Sequence, residues 1–298
     1  MGMRPDRVVI RRVEVVVNPL SGSAGPDAVT EAERILAEAG VAGSVRVPGD
    51  DGVEACLRQA LDAAPDLLAI VAGDGTARAA AEMAGADGPL VAPLPGGTMN
   101  MLPGALYGER DWKTALADIL ADGIVKPVAG GEIEGQRFYV AAILGSPALW
   151  ARARESAREG KLRLAILRAR RAMRSAFSGR LRFSLDGAPR RKTEALVLMT
   201  PLVSKAMDET DGYLEAAALD PGNALEVFRL GFHAAQGDWR SDPAVNAGRC
   251  RRGRAWAAGR IPAVLDGEPT TLDAVSDFRF LPVAFRALVP APPTEPDA

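Results

Sequence analysis

Three groups of residues in this chain have the types and spacing to do chemistry. The first is Gly73-Asp74-Gly75-Thr76, which ends the apolar run Leu68–Ala72 and precedes the alanine-rich, helix-prone stretch Ala77–Ala84. A run of that length and apolarity reads as a buried parallel strand. Two glycines let the backbone take φ > 0 and approach a ligand above the strand end. A helix N-terminus beyond them offers unpaired N–H groups and partial positive charge, a seat for phosphate. The second group is a pair of loops at other strand ends, Asn18-Pro19-Leu20-Ser21-Gly22 and Gly96-Gly97-Thr98-Met99-Asn100. None of the three loops fits the P-loop pattern or the dinucleotide fingerprint. Each alone also reads as a structural turn, but three at successive strand ends point to a bound nucleotide. The third group is Asp266-Gly267-Glu268, two carboxylates spaced i and i+2 after the apolar run Ile261–Leu265. That pair suits acid–base work on a hydroxyl, and by itself it equally reads as an ordinary Asp-Gly turn.

The elements that must position these residues alternate at βα spacing over residues 1–125. Strands are expected at Val13–Val17, Val45–Val47, Leu67–Ala72 and Leu90–Pro93, and helices at Pro26–Ala39, Val53–Ala63, Ala77–Ala84, Met99–Leu106 and Trp112–Leu120. A mostly parallel, doubly wound sheet of this kind places its ligand beyond the C-terminal strand ends, where all three glycine loops fall. The pattern changes after Gly123–Pro127, read here as a hinge. Residues 126–289 carry strand-like runs at Phe138–Leu144, Leu181–Leu185, Ala195–Met199, Leu225–Leu230, Ile261–Leu265 and Phe278–Leu288, which imply a β-rich, sandwich-like second domain. A helix-like insertion covers about 149–177, and the proline-rich tail 290–298 is expected to be disordered.

Composition narrows the class. A hydrophobic content of 48% with 25% charged residues is that of a globular protein, and a net charge of −2 gives no global pull toward nucleic acid. No apolar run approaches the roughly 18 residues of a membrane span, and the first residues lack the apolar core of a signal peptide, so a cytoplasmic location is expected. Cys56 and Cys250 match neither a disulfide framework nor a metal site, and His233, the only histidine, has no partner for a histidine-based mechanism.

Taken together, these motifs resemble the diacylglycerol kinase catalytic family, which includes bacterial soluble lipid kinases and the sphingosine and ceramide kinases. Asn18-Pro19 with Ser21-Gly22 is similar to its first motif, Ala72–Thr76 to its Gly-Gly-Asp-Gly-Thr signature, Pro95–Asn100 to its Gly-Thr-x-Asn loop, and Asp266-Gly267-Glu268 to the Asp-Gly-Glu of its second domain. The motifs stand in the family's order from residue 18 to residue 268. The resemblance implies an active site in an interdomain cleft. It also implies ATP held by Asn18, Ala72, Gly73, Asp74, Gly75, Thr76, Arg78, Gly97, Thr98 and Asn100, and Mg²⁺ at Asp74. Asp266 is implied as the general base that takes a proton from a lipid hydroxyl such as that of diacylglycerol, with Glu268 assisting. Asp211-Gly212-Tyr213-Leu214 is similar to a loop that binds a structural metal in some relatives, which makes Asp211 a candidate ligand. The chain departs from the pattern at Ala72 for a glycine, Ala79 for a glutamate, Met101 for an acid, Pro48 for a threonine and Thr210 for a second acid beside Asp211.

Arg152–Lys192 carries fourteen Lys or Arg against three acids, an asymmetry suited to an anionic membrane surface, where a lipid substrate resides. A solvated helix packed on the second domain has the same composition. Arg249, Arg251, Arg252 and Arg254 form a second basic cluster. No nucleic-acid motif accompanies either, so no nucleic-acid partner is expected. The oligomeric state, a homodimer included, stays open. Two other readings compete: a soluble-metabolite kinase, since NAD kinases share a Gly-Gly-Asp-Gly-type loop, and a non-catalytic nucleotide- or lipid-binding sensor on a kinase scaffold.

Overall fold

A computed structural model describes residues 8–148, 181–208, 210–221, 226 and 239–291. The expected helical insertion 149–177, most of the expected strand 225–230, His233 and residues 292–298 of the tail lie outside the described residues. The chain divides into two compact units, one of Met1–Val128 with Val283–Ala298, the other of Ala129–Pro282.

The first unit runs β1 (Arg12–Val17), α1 (Ala28–Ala39), β2 (Ala42–Arg46), α2 (Gly52–Asp62), β3 (Leu67–Ala72), α3 (Asp74–Ala84), β4 (Leu90–Pro95), α4 (Met101–Tyr107) and α5 (Trp112–Asp122). Its strands pair in the order β2-β1-β3-β4, all parallel. Every residue of β3 is buried, as a central strand covered on both faces requires. Leu57, Ala60 and Ala80 of α2 and α3 pack on Val16, Leu68 and Ile70 of one sheet face. Alternation sends Val15, Val17, Ala69 and Val71 to the other face, and α1 packs with α5. The last part of β16 (Val275–Pro290) also belongs to this unit. It runs parallel to β4 with Ala287 opposite Val91, and Tyr107 donates its hydroxyl to the Leu288 carbonyl at 2.9 Å.

The second unit is antiparallel. One of its sheets has the order β12 (Val245–Cys250), β11 (Leu214–Leu219), β10 (Ala195–Met199), β7 (Ala141–Gly145), β14 (Ile261–Leu265), β15 (Glu268–Leu272). The first part of β16 pairs with β13 (Arg252–Trp256), which continues to β8 (Leu181–Leu185) and β9 (Arg191–Thr193); β5 (Gly123–Ile133) pairs with β16 and with β6 (Gln136–Phe138). Phe138, Phe183, Ala255 and Phe278 share one core with Leu144, Leu196, Leu214 and Leu265, so the two layers close as a sandwich.

Gly123–Pro127, expected as a hinge, opens the eleven-residue strand β5. The single strand expected at Phe138–Leu144 is split into β6 and β7, because the N–H groups of residues 139–141 turn away from a ladder to a carboxylate 125–127 residues downstream.

Candidate functional site

In the first unit, the three glycine loops lie against one another at the C-terminal ends of β1, β3 and β4. Asn18 continues β1 and donates its N–H to the Val71 carbonyl at 3.0 Å, while its side chain accepts the Leu20 N–H at 3.1 Å and closes a tight turn. Ser23 then ties this loop to the third one, donating its N–H to Gly96 O at 3.1 Å and its hydroxyl to Gly97 O at 2.7 Å. The glycines are required by close backbone approach. A Cβ on Gly97 would stand 2.7 Å from Gly73 Cα, and one on Gly96 2.5 Å from the Ala72 nitrogen. Ala72 itself is fully buried, so its methyl fills space beneath the loop instead of opening it.

Asp74 is the first residue of α3 and reaches across to the start of α4. Its Oδ1 accepts the Met101 N–H at 2.7 Å and the Leu102 N–H at 3.4 Å. Asn100, in the left-handed region at φ 48°, closes that loop by accepting the Gly97 N–H at 2.8 Å and donating back to the Gly97 carbonyl at 3.1 Å. Asp74 therefore caps α4 from outside while heading α3. Burial pushes its carboxyl up from the ordinary range, against the opposing pull of these amides. Met101, where an acid was expected, contributes through its backbone N–H. Arg78 sits half-buried one turn into α3, and among the described residues its guanidinium has no partner. Thr98 is exposed at the mouth of the cradle. The sequence reading missed Ser23 and the Met101 amide: a serine in a glycine loop is a readable signal, a backbone donor is not.

In the second unit, Asp266 and Gly267 form the two-residue turn between β14 and β15, with Leu265 opposite Glu268 and both φ values positive (48° and 86°), as in a type I′ turn. The Asp266 side chain is directed inward. Oδ2 accepts the Tyr139 N–H at 2.7 Å, and Oδ1 accepts the Val140 and Ala141 N–H groups at 2.8 and 3.0 Å. The residue is 3% exposed, whereas Glu268 is exposed. Two further turns of this unit use the same device. Glu134-Gly135 also has positive φ, and Glu134 accepts the Asp273 N–H at 2.9 Å. Asp186-Gly187 does likewise, with Asp186 accepting the Arg252 N–H at 3.0 Å. Only at Asp266 is the clamp buried.

Among the described residues, Asp211 joins no cluster of three acids. Its carboxylate accepts the Asp208 N–H at 3.2 Å and lies 3.5 Å from the Arg249 guanidinium, a cation where a metal ion was expected. Among the described residues, no cluster of three or more His, Cys, Asp or Glu is placed to hold a metal.

Parallel strands, glycine loops in backbone contact and a helix N-terminus bearing a carboxylate define the first unit as a doubly wound α/β domain with a loop cradle at its C-terminal strand ends. Residues 12–133 match the family model of the diacylglycerol kinase catalytic domain. The fold extends the likeness over both units. A diacylglycerol kinase from Bacillus anthracis str. Sterne superposes with a TM-score of 0.66 at 14% identity, covering 95% of this chain and 98% of that one. Two further solved chains of that organism, inferred diacylglycerol kinases, give TM-scores of 0.73 and 0.72 at 17% and 19% identity with the same coverage. At such identities the likeness is one of fold.

Proposed function

We propose that this chain is an ATP-dependent kinase that phosphorylates a hydroxyl of a lipid such as diacylglycerol. The observation that carries this reading is the backbone-to-backbone packing of the three glycine loops around the N-terminus of α3, with Asp74 built into it. The donors fit a triphosphate. The Asp74 and Gly75 amides open α3 ahead of its first backbone hydrogen bonds, made by Thr76 and Ala77 to Gly73 O, Arg78 supplies a guanidinium, and Asn18, Thr98 and the Gly97 loop border the space. We assign Mg²⁺ to Asp74 alone, whose carboxylate is the hard oxygen donor of the cradle. Bound ATP supplies the phosphoryl group, and the protein supplies position and charge.

Phosphoryl transfer asks more for orientation than for strong basicity. A carboxylate fixed by three amides meets that demand, so Asp266 is proposed to orient the acceptor hydroxyl and take its proton, with the exposed Glu268 assisting. The test is transfer of labelled phosphate from ATP into diacylglycerol, sphingosine and ceramide dispersed in detergent micelles. Incorporation into one of these lipids is expected, reduced about 10²-fold or more in Asp266→Asn. Absence of labelling in every lipid, or full activity of that variant, overturns the mechanism.

One observation favours a second reading, a nucleotide- or lipid-binding sensor on a kinase scaffold. The Asp266 clamp recurs at Asp186 and Glu134, which lie outside every motif assigned to catalysis. ATP binding without turnover on any lipid distinguishes that case.

A further inference from the structure

Two basic segments far apart in the chain, Arg182–Lys192 and Arg252–Arg254, meet on one face of the second unit. The register of β9, β8, β13 and β16 aligns Lys192, Arg182, Trp256 and Val275 in one cross-strand row. Ser184, Arg254 and Asp277 form the next row, and Arg252 stands opposite Arg279 in a third. Their neighbours Phe183, Ala255 and Phe278 fill the core, so alternation points these rows outward. The outer face is hollowed into an open cavity of about 810 Å³, lined among others by Arg252, Arg254, Arg279, Trp256 and Val275. The Arg190 guanidinium stacks 4.4 Å over Trp256.

Six cations here face four carboxylates, and each carboxylate already has a partner, two of them among these cations. Asp277 pairs with Arg254, and Glu132 accepts from Arg279 at 3.0 Å. Asp186 and Glu134, on the rim, accept backbone N–H groups. Among the described residues, Arg182, Lys192 and Arg252 have no carboxylate partner. Exposed ion pairs are weakly held, so Arg254 and Arg279 can exchange a carboxylate for a phosphate. Val275 is 52% exposed beside Trp256, an apolar pair wasted in water.

We propose that this face docks the chain on an anionic phospholipid bilayer, its arginines and Lys192 meeting lipid phosphates while Trp256 and Val275 lie at the headgroup boundary. The proposal rests on the lipid-kinase reading, because a lipid acceptor is presented at such a surface. Mobile headgroups can settle between the four carboxylates, where a rigid polyanion such as duplex nucleic acid meets repulsion, and an exposed valine suits a lipid boundary.

The test is co-sedimentation of the full chain, without ATP, with vesicles of phosphatidylcholine alone or with roughly one third phosphatidylglycerol. Binding is expected only to the anionic vesicles, with release at high salt. Each cation at such a surface is worth about fivefold in partition, so the triple variant Arg182→Gln, Lys192→Gln, Arg252→Gln is expected to lose on the order of 100-fold. These side chains are exposed, and an unchanged thermal melt verifies the fold. Unchanged partition of the triple variant, equal binding to phosphatidylcholine, or stronger binding to duplex DNA than to anionic vesicles overturns the proposal. Phosphate transfer to micellar substrate, which needs no bilayer, separates the two claims. Transfer without vesicle binding sinks the docking face alone, and vesicle binding without transfer sinks the kinase reading alone.

Discussion

The Asp266 carboxylate accepts the Tyr139 N–H at 2.7 Å across 127 residues of chain, and its other oxygen takes the N–H groups of Val140 and Ala141. One side chain thereby joins the β14–β15 turn to the start of β7. Removing it strands three amides, each costing about 1–3 kcal/mol if left buried and unpaired. Asp266→Ala is expected to lose at least about 3 kcal/mol, read as a fall of roughly 6–12 °C in Tm. Asp266→Asn retains one oxygen acceptor and is expected to melt closer to the parent while still losing phosphoryl transfer. Equal Tm values for parent and alanine variant would contradict the clamp.

Gly97→Ala places a methyl 2.7 Å from Gly73 Cα, where backbone meets backbone. Overpacking of this kind costs about 1–3 kcal/mol and spreads the cradle. ATP affinity, measured by calorimetry, is expected to fall at least tenfold, with a smaller loss in Tm.

Among the described residues, Arg78 makes no hydrogen bond or ion pair with another side chain, so its removal is expected to change folding little. A charge-assisted hydrogen bond to phosphate is worth about 1.5–3 kcal/mol, so Arg78→Ala is expected to raise KM for ATP about 10- to 100-fold at constant Tm. A loss of stability without a change in KM would remove Arg78 from the phosphate site.

Asp74 lies under opposing demands. Burial raises its carboxyl above the ordinary value, so the folded state holds the proton more tightly than the unfolded chain. Its contribution to stability therefore falls as pH rises from the unfolded value, near 3.8, through the folded one. Asp74→Asn, whose amide oxygen can still accept from Met101, is expected to be at least as stable as the parent at pH 7 and to lose turnover about 10²-fold or more. Denaturant unfolding at pH 4 and 7 with parallel assays checks both signs.

The opposite sign applies at Glu215. Burial pushes this carboxyl up, but hydrogen bonds from Arg240, at 2.6 and 2.7 Å, and from Ser204 outweigh it and hold it below the usual range. The stabilisation is present above the unfolded value of about 4.5 and is lost as pH falls through the folded value. Arg240→Met leaves a carboxylate that is 3% exposed without its cation, and is expected to cost about 3–5 kcal/mol at neutral pH and less in acid, by urea titration.

Much of the first unit was readable because its signals are local. The expected β3 matches the observed Leu67–Ala72, and α1, α2 and α5 begin within two residues of their expected starts. The second unit was less readable. β11, β12 and β13 escaped notice, since Glu215 interrupts the apolar run of β11, and the exposed arginines of β12 and β13 give short, half-polar patterns. Gly123–Pro127 looked like a linker by composition, yet it opens a strand that pairs with its neighbour β6 and with β16 in distant sequence.

By itself, the sequence determined the parallel βα order, the glycine loops at three strand ends and the Asp-Gly turn, because period, glycine and proline act over a few residues. Only tertiary structure decided what those residues touch. It set Asp74 onto the amides of α4, turned Asp266 inward to residues 139–141, gave Asp211 an arginine, and gathered two separated basic runs onto one sheet face. Each of these depends on strand register and on backbone donors. Backbone N–H groups carry no residue identity, and register is fixed only when the core closes.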